Sequence, residues 1–137
     1  MPAKVFFDTN VLIHAVSQDD ARSGIAEEIL AKGGVLSVQI LNEFVSVARR
    51  KILMSWNDVS EALEAFAVLC PSPLPITMEM HNAALKMAKK HGYNIYDVLV
   101  VSAALEAGCT TLYSEDFRDG QTIDGQLLIR NPFRLRG

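Results

Sequence analysis

The sequence predicts an α/β fold in which a parallel sheet is covered on both faces by helices. Three observations carry that expectation. Short apolar runs stop abruptly in polar or Gly/Pro turns, stretches of helical period lie between them, and the two kinds of segment alternate along the chain. Such alternation calls for right-handed crossovers between parallel strands. The 137 residues suit one core, because single domains commonly enclose about 100 to 150 residues. With no linker, internal repeat or low-complexity tract, residues 1–137 are expected to form a single domain.

The elements follow in order. Val5-Phe6-Phe7 is an apolar run ending at Asp8-Thr9-Asn10, as expected of a strand buried on both faces that stops in a polar turn. Ser17 to Asp20 supplies N-cap chemistry for a helix carrying Ile25, Ile29 and Leu30, and Gly33-Gly34 stops it. Val35 to Val38 reads as a second strand. From Gln39 to about Ile52, Ile40, Leu41, Phe44, Val45, Val47 and Ala48 make an apolar stripe opposite Gln39, Asn42, Glu43, Ser46 and Arg50. Ser55 or Asn57 caps a helix through Leu69, ended by Pro71, Pro73 and Pro75, and Leu74 to Thr77 leaves room for a short strand. Thr77 caps a helix with Met80, Ala84, Met87, Ala88 and His91 on its core stripe, stopped by Gly92. Asn94 or Tyr96 opens a strongly apolar helix over Asp97 to Ala107. Thr110 to Tyr113 and Leu127 to Ile129 are the last strands, separated by a loop rich in Asp and Gly.

Composition narrows the function. Half the residues are apolar and the mean hydropathy is +0.18, which excludes disorder as the dominant state. Thirteen Lys plus Arg against 16 Asp plus Glu give a net charge of -3, unlike a generally basic nucleic-acid binder, so any nucleic acid must be engaged locally. Cys70 and Cys109 lie in no Cys/His cluster and are expected to be buried free thiols; His14, His81 and His91 form no metal-ligand spacing. No stretch reaches the roughly 18 uncharged residues of a membrane span, and the expected location is the cytoplasm.

In an open α/β sheet, ligands bind outside the carboxyl ends of the strands. The residues at those ends are acidic: Asp8 after the first strand, Glu43 on the helix after the second, Asp97 at the start of the apolar helix, and Asp116 in Ser114-Glu115-Asp116. Each also has a structural use alone. Asp8 can cap a helix or sit in a turn, Glu43 fits a solvated helix stripe, Asp97 suits the helix macrodipole, and Glu115 or Asp119 can take the fourth role. Convergence changes the reading. Two carboxylates about 4 Å apart repel by roughly 4 kcal/mol at an effective dielectric near 20, so four together must take up protons or hold cations. Oxygen ligands select hard metals, Mg²⁺ or Mn²⁺, and two such ions about 3.5 to 4 Å apart support in-line phosphodiester cleavage with water as nucleophile. Removing these four from the 16 acids leaves 12 against 13 bases, so the remaining surface is near neutral. Arg49, Arg50 and Lys51 follow Glu43, and Lys86, Lys89, Lys90, Arg130, Arg134 and Arg136 add positive charge suited either to solvent or to a phosphate backbone.

These segments resemble the PIN-domain family of metal-dependent nucleases, and within it the VapC-like ribonuclease toxins of toxin–antitoxin pairs. The resemblance rests on the Phe6-to-Leu12, Ser37-to-Phe44, Tyr96-to-Ala104 and Ser114-to-Phe117 segments and on Asn131-Pro132-Phe133, and it runs nearly end to end. It implies a three-layer α/β/α fold with a five-stranded parallel sheet, and Asp8, Glu43, Asp97 and Asp116 as the acidic quartet holding Mg²⁺ or Mn²⁺. It places Asn10 and Ser114 in supporting positions. It further implies cleavage of single-stranded or looped RNA, a homodimer, and silencing by an antitoxin protein. Two other readings are available. An aspartyl-phosphate phosphatase would want a second Asp where Asn10 stands, and a PIN-like module could bind RNA or a peptide without cutting it.

Overall fold

The computed structural model describes residues 4–17 and 21–134. The chain runs β1 (Val5–Phe7), α1 (Thr9–Val16), α2 (Ala21–Ala31), α3 (Val38–Arg50), α4 (Trp56–Leu69), α5 (Met78–His91), α6 (Ile95–Glu106), β2 (Thr111–Tyr113), β3 (Thr122–Ile123) and β4 (Leu127–Arg130). The sheet order is β1-β2-β4-β3, with β1 parallel to β2, β2 parallel to β4, and β3 antiparallel to β4.

The α/β class holds, but the expectation of five parallel strands does not: the named sheet has four strands and is mixed. Two of the expected strands shrink to single bridges. Val35 bonds to β1 on either side of Phe6, and Ser37 and Leu74 pair in parallel. The reasons are local. Ser37 already serves as the N-cap of α3, its hydroxyl accepting from the Ile40 amide, and Leu74 lies between Pro73 and Pro75, neither of which has an N–H to donate. Gly34 allows the close approach, since a Cβ there would sit 2.5 Å from a ring carbon of Phe7. The antiparallel β3 lies in the Asp/Gly loop, where no strand is expected from the sequence; it is a two-residue hairpin partner of β4.

Phe6 and Phe7 point to opposite sides of β1, and both are fully buried, so both faces of the sheet are covered there. Leu112, Leu127 and Ile129 extend the same core along β2 and β4. Helix α6 is apolar nearly all round and buries Val98, Val100, Val101, Ala103 and Ala104. It packs against α5, while α1 packs on α2 and α3, and α3 on α4.

Most helix ends lie where capping chemistry places them: Ser55, Thr77 and Asn94 are N-caps of α4, α5 and α6, and Gly92 closes α5 in the left-handed conformation at φ 74°. Helix α1 is the main departure. It occupies residues expected to form a turn, and Ser17 closes it rather than opening the next helix; the remainder of that expected cap, residues 18–20, lies outside the described residues. His91, expected on a core stripe, is exposed and stacks on Tyr93, because it is the last residue before the helix-ending glycine. Cys70 and Cys109 are buried free thiols, and burial raises the Cys109 thiol to about 11. Among the described residues no helix is long and apolar enough to cross a membrane.

Candidate functional site

Asp8, Glu43, Asp97 and Asp116 all line one cavity of about 330 Å³, together with Thr9, Asn10, Ser46, Tyr96 and Arg50. Each acid arrives from a different element. Asp8 ends β1 and caps α1, its Oδ1 accepting from the Thr9 amide at 2.8 Å. Glu43 lies midway along α3, Asp97 in the first turn of α6, and Asp116 just beyond β2. Parallel pairing of β1 with β2 sets Phe7 beside Tyr113, which brings the following residues, Asp8 and Ser114, together.

Neutral donors orient the carboxylates. The Ser114 hydroxyl donates to Asp8 Oδ2 at 2.6 Å and itself accepts from the Asp116 amide at 3.1 Å. The Thr9 hydroxyl donates to Glu43 Oε2 at 2.7 Å, and the Gln39 amide, one helical turn before Glu43, donates to Oε1 at 3.1 Å. Gln39 also reaches the Tyr96 carbonyl at 3.3 Å, tying α3 to the start of α6. Thr9 and Gln39 are the orienting residues that sequence reading missed. The i, i+4 spacing of Gln39 and Glu43 is a visible signal for the second; Thr9 had none, because its role depends on how α1 packs against α3.

The charge is left uncompensated. Among the described residues none of the four carboxylates forms an ion pair with Lys or Arg. Burial pushes the Asp8 carboxyl up to about 7, and the Asp116 charge adds to the rise, while the bonds from Ser114 and Thr9 oppose it. Asp97 is also raised, first by burial and then by the charges of Asp116 and Glu43. These are the responses expected of like charges sharing a desolvated pocket.

Other candidate residues fall around this cavity or away from it. Asn10 lines it and Ser114 lies buried behind Asp8. Glu115 turns aside to His14 at 2.8 Å, and Asp119 accepts from the Asn131 amide at 2.9 Å, so of the three acids after β2 it is Asp116 that faces the cavity. Arg50 is on the cavity wall, whereas Arg49 bonds the Met54 carbonyl and lies over the Trp56 ring, and Lys51 is exposed beyond the helix end. Arg136 lies outside the described residues.

The donor set fits a hard divalent cation: all-oxygen, anionic and otherwise unpaired. Among the described residues no three acidic, His or Cys side chains close into a ready-made cage. An open wall of carboxylates suits Mg²⁺, which keeps several waters and binds through one or two protein carboxylates plus substrate phosphate.

Comparison with known proteins agrees with this architecture. A comparison with curated protein sequences gives no match. Among solved structures, a toxin–antitoxin complex from Klebsiella pneumoniae superposes with a TM-score of 0.72 at 16% identity, covering 95% of this chain and 98% of its own. FitAcB from Neisseria gonorrhoeae gives 0.68 at 19% identity, covering 94% and 98%. VapC20 from Mycobacterium tuberculosis, a toxin that cleaves the sarcin-ricin loop, gives 0.65 at 19%, covering 82% and 90%. The PIN domain family model matches residues 5–120, a span that includes all four cavity carboxylates, and the chain therefore belongs to the PIN-domain family.

Proposed function

We propose that this protein is a divalent-metal-dependent endoribonuclease that cuts single-stranded or looped RNA, as the toxin of a toxin–antitoxin pair. The observation that carries the reading is the set of four carboxylates from four elements facing one cavity, none of them ion-paired to Lys or Arg among the described residues. PIN domains are typically nucleases that use divalent metals, and similar folds occur in toxin–antitoxin complexes. The sarcin-ricin loop cut by VapC20 is the kind of exposed RNA loop we assign as substrate class.

In this reading Asp8, Glu43, Asp97 and Asp116 hold Mg²⁺ or Mn²⁺. When bound, the cations supply Lewis acidity toward the scissile phosphate and an acidified water. The chain's part is positioning. Ser114 and Thr9 each hold one Asp8 oxygen, Thr9 and Gln39 hold both oxygens of Glu43, and these bonds fix the acidic groups before substrate arrives. Asn10 and Arg50, on the wall, are placed to meet the phosphate and its neighbours. Arg49 and Lys51 belong to the same basic run but do not line the cavity, so Arg50 is the member of the run that this reading assigns to RNA. An antitoxin protein and a second copy of the chain are the partners this reading assigns.

The test is cleavage of a looped RNA by purified protein, with Mg²⁺ or Mn²⁺ and with chelator. Metal-dependent cutting that Asp97→Asn removes supports the nuclease. A wild-type protein that binds the RNA and never cuts it supports instead the binding module.

A further inference from the structure

The acidic cavity is not isolated. Asp116 also borders a second, more open concavity of about 490 Å³ shared with Phe117, Arg118, Tyr93 and Gln121. Tyr93 and Gln121 in turn border a third, of about 260 Å³, walled by His91, Lys90 and Met87. The three hollows share lining residues and so follow one another from Asp116 to the end of α5.

Rings pave that path. Phe117 meets Tyr93 edge-on with centroids 5.4 Å apart and planes at 90°, and Tyr93 stacks on His91 at 5.4 Å and 28°. The Gln121 amide donates to the Tyr93 hydroxyl at 2.9 Å, which fixes the middle ring. The outermost ring, His91, is exposed, and so are Lys90 and Arg118 beside the path. Glu115 borders the middle hollow, where it is held by His14, and Asp124 borders the far one. A braced ring with an open face, flanked by cations and leading to a phosphodiester-cutting site, has the chemistry of a stacking platform for unpaired bases.

We infer that the Phe117–Tyr93–His91 ladder is the track on which single-stranded RNA flanking the cut site lies, with a base on His91 and Lys90 and Arg118 facing the backbone. The inference rests on the nuclease reading and names where its substrate binds. Tyr93 and Gln121 act as positioning residues, since they hold the ring on which the base stacks.

The experiment measures binding of a fluorescein-labelled, mixed-sequence single-stranded RNA by anisotropy in Ca²⁺ buffer, and cleavage of the same RNA in Mg²⁺. His91→Ala weakens binding about tenfold, the order expected for one lost base stack, while His91→Phe retains most of it because the ring is kept. Lys90→Ala weakens binding less and lowers its salt dependence. In RNA carrying a photoreactive uridine, crosslinks fall on His91 or Tyr93. Unchanged binding in both alanine variants, while the wild type still cuts, overturns the track and leaves the nuclease. Weakened binding by His91→Ala in a protein that never cuts keeps the track and overturns the nuclease.

Discussion

The floor and the rim of the acidic cavity are built on opposite principles. On the floor, Asp8 is buried with 4% of its surface exposed, and both of its oxygens accept hydrogen bonds from Thr9 and Ser114. On the rim, Asp116 and Arg50 are exposed, and Arg50 donates to its helix neighbour Ser46 at 3.2 Å. A buried carboxylate held by neutral donors is costly until a cation arrives, whereas an exposed side chain costs little and can follow its ligand. In the proposed reading the buried floor is preorganised for metal, the exposed Asp116 adds a ligand from the rim, and Arg50 is left to meet substrate.

The largest effects should come from the acids assigned to the cations in the proposed reading. Asp97→Asn keeps the size of the side chain and the first turn of α6 but removes a proposed ligand, so metal-dependent cleavage should fall by roughly a hundredfold or more. Circular dichroism should show the fold unchanged. Residual cutting near the wild-type rate would remove Asp97 from the proposed metal site.

Asp8 gives a stability measurement independent of catalysis. Its folded pKa of about 7 lies above the unfolded 3.8, so the native state binds the extra proton between those values. The associated stability is fully present below the unfolded pKa and is lost as pH rises toward 7; by linkage the span amounts to roughly 4 kcal/mol. In chelator, Asp8→Asn should therefore melt higher than wild type at pH 8, by on the order of 10 °C, with the gap closing near pH 4. Asn caps helices as well as Asp does, so the α1 cap survives. Mg²⁺ should narrow the gap at pH 8 by stabilising only the wild type. Equal melting of the two proteins at both pH values would show that burying the Asp8 carboxylate carries no such cost.

The same contrast explains what the sequence made legible. Val5-Phe6-Phe7 and the stripe of α3 were readable because burial on one or both faces leaves a pattern in neighbouring residues. The grouping of the acids was readable because strand ends in a parallel sheet share one edge, so the segments that follow β1 and β2 lie side by side. Helix α1 was not readable: Val11, Leu12, Ile13, Ala15 and Val16 leave almost no polar face, and Asp8-Thr9-Asn10 has the composition of a turn. The Thr9–Glu43 bond was lost with it. Choosing Asp116 over Glu115 and Asp119 required knowing that His14 sits across from Glu115, which depends on contacts far apart in the chain. Val35, Ser37 and Leu74 pair as expected, but caps and prolines leave them too few hydrogen bonds to be strands.

Intermediate effects belong to the residues that hold the acids. Ser114→Ala frees Asp8 Oδ2 and the Asp116 amide together, and Gln39→Ala frees Glu43 Oε1 and the Tyr96 carbonyl. Each should lower metal affinity by about 10- to 100-fold, read as a shift in the Mg²⁺ concentration needed for half-maximal cleavage. Near wild-type activity should return at saturating metal. A drop that saturating Mg²⁺ does not repair would mean these residues contact substrate, and the division between floor and rim would have to be redrawn.

The smallest effect tests the rim. Arg50 is exposed and donates to Ser46, so Arg50→Ala should leave melting temperature within about 2 °C, in keeping with the small effects of surface substitutions. If its guanidinium meets one phosphate, the plot of log binding constant against log salt should flatten by about 0.7, the contribution of one contact on a single strand. KM should rise while kcat stays nearly constant, because a contact made equally in ground and transition states changes only binding. A fall in kcat at constant KM would instead place Arg50 against charge that develops during cleavage, and Arg50 would then belong with the floor in function, although it sits on the rim.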